Sequence, residues 1–195
     1  MINELLKNHR IVLASGSPRR QQFFKDMGID VHIDVKEVDE VYPDHLQGAA
    51  ISDFLCELKS AAFEQLEPND ILITSDTIVW HNHKALGKPK NEEEAIKMIQ
   101  SLSGKQHEVI TSVCFKTTTA STTINHTTRV TFKDLSIAEI THYVKTYQPM
   151  DKAGAYGIQE WIGFIGITHI EGSFFTVMGL PTHLVYETLM SMVNS

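Results

Sequence analysis

Apolar positions along the chain alternate between two periods. The continuous run Ile11-Val12-Leu13-Ala14 predicts a strand over 10–15, which breaks at Ser15-Gly16-Ser17. Ser17 suits an N-cap and Pro18 the first turn of a helix, predicted to about Met27 with Gly28 as its stop. Residues 29–35 alternate Ile and Val with polar residues, the pattern of a half-buried strand. Over 47–66, Ile51, Phe54, Leu55, Leu58, Ala61, Ala62 and Leu66 share one helical face. Pro68-Asn69-Asp70 reads as a turn, and ILITSDTIVW at 71–80 as a central strand.

The second half continues the alternation. Asn91 with Glu94, and Ser136 with Glu139, are capping-box patterns that open helices ending near Gly104 and Tyr147. Between them, 105–117 and 121–134 read as two strands of a hairpin. After Pro149 come the glycine-punctuated DKAGAYGIQE and the apolar run WIGFIGITHI, and a last helix starts near Pro181. The expected fold class is α/β, with a mixed, partly antiparallel sheet flanked by helices. The whole length, 1–195, is expected to be one domain.

Composition narrows the function. Seventeen basic residues against 24 acidic ones give a net charge of −7, which argues against broad binding of nucleic-acid polymers. Cys56 and Cys114 make neither a disulfide framework nor a zinc spacing. No signal peptide and no run long enough to span a bilayer is read, so a cytoplasmic location without membrane contact is expected.

Several residues could carry chemistry. Arg19 and Arg20 stand at the start of a helix that already presents partial positive charge and N–H donors, an arrangement suited to an arriving phosphate or carboxylate. Two exposed arginines on an ordinary surface helix are the plain alternative. Asp76, ending a buried apolar run, is placed to bind a metal or accept a proton from water, or else to cap a loop. Lys59, at the edge of a helical apolar face, either snorkels to solvent or reaches a phosphate, and Lys88 in Leu86-Gly87-Lys88-Pro89 has the same two readings. Gly154 and Gly157 permit close backbone approach, and the Gln159 amide can read the polar edge of a base. Ser103-Gly104-Lys105 is not a P-loop, because Ile99 stands where the first glycine belongs, and His81-Asn82-His83 reads as a turn.

Six segments in order, LASGSPRR at 13–20, SDT at 75–77, LGKP at 86–89, LSGKQHEVITSV at 102–113, DKAGAYGIQ at 151–159 and EGSFFTVMGLP at 171–181, resemble the Maf family of nucleotide pyrophosphatases. The resemblance implies a fold related to inosine-triphosphate pyrophosphatases, with two lobes around a central cleft. It implies hydrolysis of a nucleoside triphosphate to monophosphate and pyrophosphate, with a divalent cation, Mg²⁺ or Mn²⁺. Asp76 would be the catalytic carboxylate and metal partner, and Glu40 a second metal ligand. Ser15, Ser17, Arg19, Arg20, Lys59 and Lys88 would bind substrate, while Arg19, Thr77 and Gln159 would set the base. The DKAGAYGIQ form resembles the branch acting on dTTP and UTP. Ser75 stands where many members have Ala, and Glu160 where Gly is usual, which adds negative charge beside the proposed base site. A homodimer is compatible with this reading. The alternative is a nucleotide-binding regulator of septum formation without turnover.

Overall fold

In the computed structural model, which describes residues 2–193, the two periods become a mixed α/β architecture. Strand β1 (Arg10–Leu13) pairs in parallel with β2 (His32–Ile33) and with β3 (Asp70–His81). β3 turns back into the antiparallel β4 (Lys84–Leu86). With β5 (Gln106–Lys116), β6 (Ser121–Phe132) and β7 (Ile167–Glu171) they form a seven-stranded sheet, ordered β2-β1-β3-β5-β6-β7 with β4 attached to β3. The helices are α1 (Ile2–Leu6), α2 (Pro18–Asp26), α3 (Ala49–Ala61), α4 (Glu92–Leu102), α5 (Ile137–Tyr147), α6 (Trp161–Gly166), α7 (Phe174–Val177) and α8 (Thr182–Val193).

The chain divides into two units: Met1–Asp76 with Thr111–His126 and Gly179–Ser195, and Thr77–Ile110 with Thr127–Met178. β3, β5 and β6 each run from one unit into the other. In the first unit, Ile71, Leu72 and Ile73 of β3 are at most 1% exposed, as the sequence expects of a central strand. In the second, α4 packs on α5, and Ile99, Leu102, Ile140, Tyr143 and Val144 join Phe132 and Tyr156 in one core.

Local chemistry sets the element ends. The Ser17 hydroxyl accepts the Arg20 N–H and Pro18 opens α2, while Gly28 follows that helix at φ +70°. Ser136 and Glu139 form the full capping box of α5. At α4 the box is displaced: Asn91 accepts the Glu94 N–H, but the Glu94 carboxylate accepts from Lys90 N–H instead of Asn91. Asn82 (φ 49°) and His83 (φ 59°) make the two-residue turn between β3 and β4, so the His-Asn-His segment is a hairpin tip.

Two expected elements are shorter. Of 29–35 only His32–Ile33 is strand, and Ile33 and Val35 are exposed; this is the sheet edge, where only the leading Ile29 reaches the core. The helix expected over 47–66 ends at Ala61. Phe63 leaves it to pack with Val12 and Leu72, and the Lys116 ammonium takes the Ser60 and Phe63 carbonyls at 3.2 and 2.7 Å. The run WIGFIGITHI divides at Gly166 into α6 and β7, and α1, β4 and α7 are elements that the sequence pattern did not announce.

Candidate active site

The first unit gathers most of the expected site. In the turn before α2, the Ser17 N–H donates to Ser15 Oγ at 3.3 Å, and Gln21 Nε2 donates to Ser15 O at 3.0 Å. These bonds hold residues 15–17 in the bend that leads into α2, with Arg19 in its first turn. Arg20 is built in more deeply. Its Nε donates to Gly179 O at 2.7 Å and its Nη1 to Ser75 O at 2.9 Å. Burial lowers the Arg20 pKa from the ordinary arginine value, and the charge of Asp76 is the largest influence opposing this.

Asp76 follows the carbonyl that Arg20 grips, and its carboxylate meets Lys59 Nζ at 2.6 Å. The same ammonium lies 2.9 Å from Glu40 Oε1. Lys59 therefore does not extend into solvent; its side chain is only 17% exposed and ends between two carboxylates. Burial pushes the Asp76 carboxyl above the usual carboxylate value, against the pull of Lys59 and then Arg20, while Glu40 pushes the same way as burial. A buried carboxylate tuned upward is suited to take a proton from water.

The helix that carries Lys59 is tied to the strands around it. Thr74 Oγ1 donates to Cys56 O at 2.6 Å, and Ser112 Oγ donates to Asp53 Oδ1 at 2.6 Å. Asn125 adds two bonds to the same carboxylate, and Lys116 closes the C-terminal end of the helix. Cys56 and Cys114 are buried thiols, and burial drives the Cys56 pKa up, so it stays a protonated packing residue.

The donor set fits a divalent cation of the Mg²⁺ type. Asp76 and Glu40 both reach one cationic atom, the Lys59 nitrogen, so their oxygens converge on a single small region. No group of three or more His, Cys, Asp or Glu ligands exists among the described residues. Mg²⁺ needs no such cage: one or two carboxylates with substrate phosphates and water complete its shell.

The second unit holds Thr77, Lys88 and Gln159. Thr77 directly follows Asp76 on β3 and is half-buried. Lys88 is exposed, in a loop fastened to the glycine segment by Gly154 N–H donating to Gly87 O at 3.0 Å. Gly154, at φ +69°, lies so close to β3 that a Cβ would stand 2.7 Å from Val79 Cγ2. Gln159 is half-buried, and its amide has no hydrogen-bond partner among the described residues. Glu160, which the sequence placed as stray negative charge, is answered by Lys152 Nζ at 3.1 Å and by the Tyr143 hydroxyl.

Sequence reasoning missed the groups that brace this segment. Tyr143 sits at a core position of α5, where a buried hydroxyl demands a partner, and that demand was the available signal. His107 is a second case: its Nε2 lies 2.7 Å from the Tyr156 hydroxyl, and burial lowers its pKa to about 3, so the imidazole is neutral.

Comparison with known proteins places the chain in a family. The family model described as Maf-like protein matches residues 10–192. A dTTP/UTP pyrophosphatase of Flavobacterium johnsoniae is 60% identical over 194 residues, covering 99% of this chain and 100% of that protein. One of Christiangramia forsetii is 61% identical over 196 residues and covers both chains fully, and one of Bacteroides fragilis is 50% identical over 186 residues, 94% and 96% of the two chains. Among solved structures, the Staphylococcus aureus Ham1 protein is similar with a TM-score of 0.48 at 16% identity, over 64% of this chain and 72% of that one. With a family match from residue 10 to residue 192 and relatives of equal length at this identity, the chain belongs to the Maf family.

Proposed function

We propose that this protein hydrolyses dTTP and UTP, and modified pyrimidine triphosphates of the same edge chemistry, to the monophosphate and pyrophosphate. The observation that carries the reading is the convergence of Asp76 and Glu40 on the Lys59 ammonium, with Asp76 buried and its pKa raised. The substrate class comes from the relatives named dTTP/UTP pyrophosphatase. The Gln159 amide, with no hydrogen-bond partner among the described residues and with both a donor and an acceptor, suits the O4 and N3–H edge of thymine or uracil.

In this reading Asp76 orients a water and takes its proton as the oxygen bonds to the α-phosphorus. The bond from that phosphorus to the bridging oxygen breaks, and pyrophosphate leaves. Mg²⁺ or Mn²⁺, held by Asp76 and Glu40, would supply charge neutralisation at the phosphate oxygens. Lys59, Lys88 and Arg19 add positive charge for the triphosphate, and Ser15 and Ser17 shape the turn that receives it. Arg20 holds the Ser75 carbonyl next to the base. The full chain acts as one catalytic domain, monomer or homodimer. We place it in the cytoplasm with the nucleotide pool; no described helix is long and apolar enough to cross a membrane.

The test is a panel of canonical and modified triphosphates with Mg²⁺ or Mn²⁺, scored separately for pyrophosphate and orthophosphate. Pyrophosphate release from dTTP and UTP is the expected result. Binding without turnover would favour the regulator of septum formation, and orthophosphate release would make the chain a phosphatase.

A further inference from the structure

Glu160 occupies the N-cap position of α6 but its side chain makes no capping bond there. The carboxylate turns back over Gly157 instead. Its Oε2 accepts from the Tyr143 hydroxyl, and its Oε1 lies 3.1 Å from Lys152 Nζ. Tyr143 completes a loop of contacts by accepting the Gly157 N–H at 3.0 Å, and the Glu160 N–H donates to Gly157 O at 3.0 Å. Tyr143 is fully buried and Lys152 is 8% exposed, so the bridging carboxylate is held from two sides by groups that cannot turn to solvent. Burial and the bond to Glu160 both raise the Tyr143 pKa, which keeps the hydroxyl a donor.

Gln159 lies inside this closed turn. A Cβ on Gly157 would stand 2.9 Å from Glu160 Oε2 and 3.1 Å from Gln159 Nε2, so the carboxylate and the amide nitrogen flank the same point. Ile158 is closely approached as well, since a Cβ on Gly163 would stand 1.9 Å from its carbonyl oxygen. This matters because a side-chain amide is two-faced. Rotated by half a turn, it exchanges donor for acceptor. One orientation complements thymine or uracil, with N3–H as donor and O4 as acceptor. The other complements cytosine, with an N3 acceptor and an N4 donor. Gln159 alone would not distinguish the two.

We propose that Glu160 is a specificity-positioning residue: bridged to Tyr143 and Lys152, its carboxylate stands beside the Gln159 amide without bonding it, and its charge favours the orientation with the NH₂ end toward Gly157 that leaves the carbonyl end to accept a base N3–H. The inference rests on the pyrimidine reading of Gln159 given above. Glu160 acts in this proposal only through the base-reading Gln159, so its removal changes base choice and not the chemical step.

The experiment compares wild type, Glu160→Ala, Glu160→Gln, Gln159→Ala and the double Ala variant, with thermal melts as a check on folding. For Glu160→Ala, KM for dTTP rises about tenfold with kcat within about threefold, and the dTTP-over-dCTP ratio of kcat/KM falls about tenfold. Glu160→Gln keeps an acceptor for Tyr143 and recovers KM, while the lost charge leaves the ratio reduced. The double variant matches Gln159→Ala alone, because Glu160 acts through Gln159. A Glu160→Ala variant with a lower melting temperature and an unchanged ratio overturns the proposal, as do additive losses in the double variant. The ligand-free Gln159 side-chain amide NMR signals decide the matter independently of substrate. Dispersed signals in wild type that collapse in Glu160→Ala support the positioning role even if wild type fails to hydrolyse dTTP and UTP, and unchanged signals refute it.

Discussion

The Lys59 ammonium stands 2.6 Å from the Asp76 carboxylate, and this contact opposes the burial that makes Asp76 hold its proton. Burial raises the Asp76 pKa, while Lys59 is the largest influence holding it down. A base works only when ionised, so turnover falls as pH drops through the Asp76 pKa. Lys59→Met removes a lowering influence and moves the titration of the metal-free Asp76 carboxyl to higher pH. Glu40→Gln removes a raising influence and moves it the other way, by less, because Glu40 is more exposed. NMR titration of the Asp76 carboxyl in the three proteins without added metal checks both signs, and a titration that stays in place in Lys59→Met would show that the ammonium does not tune Asp76.

Asp76→Asn keeps the shape of the side chain and loses the base. Turnover falls about 10²- to 10⁴-fold, the range a positioned general base contributes. Calorimetric titration with dTTP separates this from a binding defect, since affinity without metal remains close to wild type. Near-normal pyrophosphate release from the variant would dismiss the mechanism.

Arg10 and Asp70 pair across the first rung of β1 and β3, with two bonds of 2.7 Å. The Arg10 bonds are the largest cause of the lowered Asp70 pKa. A carboxyl with a lowered folded pKa contributes stability above its unfolded pKa, and this is lost as pH falls through the folded value. Arg10→Met therefore melts below wild type at pH 7, and the two melting curves converge in acid. A gap that is constant with pH would mean the pair acts through packing alone.

Gly163 lies inside α6, where alanine would ordinarily gain about 1 kcal/mol. Here the added methyl meets the Ile158 carbonyl oxygen, so Gly163→Ala is expected to cost about 1–3 kcal/mol. Urea unfolding measures the sign, and a stabilised variant would show that the chain at Ile158 yields.

What the sequence disclosed depended on the range of each interaction. The Ser136–Glu139 cap was legible because its partners are three residues apart. The length of β2 was not, because being a sheet edge is a property of topology and Ile33 carries no mark of it. Lys59 showed its unusual angular position, yet its two carboxylate partners lie on a distant strand and in a loop. Asp76, Lys59 and Glu40 were each named, and their convergence on one nitrogen was new. Glu160 was visible as a charge; Lys152 and Tyr143, which answer it, come together only in three dimensions.

The second arginine of the SPRR turn leads to a different expectation about tolerance. Arg20 spans two carbonyls, Gly179 at 2.7 Å and Ser75 at 2.9 Å, with two nitrogens of one rigid plane. Lysine would preserve the charge and lose that span, because an ammonium is a point on a flexible stem. Position 20 is therefore a spacer cut to measure, and a library randomised there should be sorted by molecular shape ahead of electrical sign.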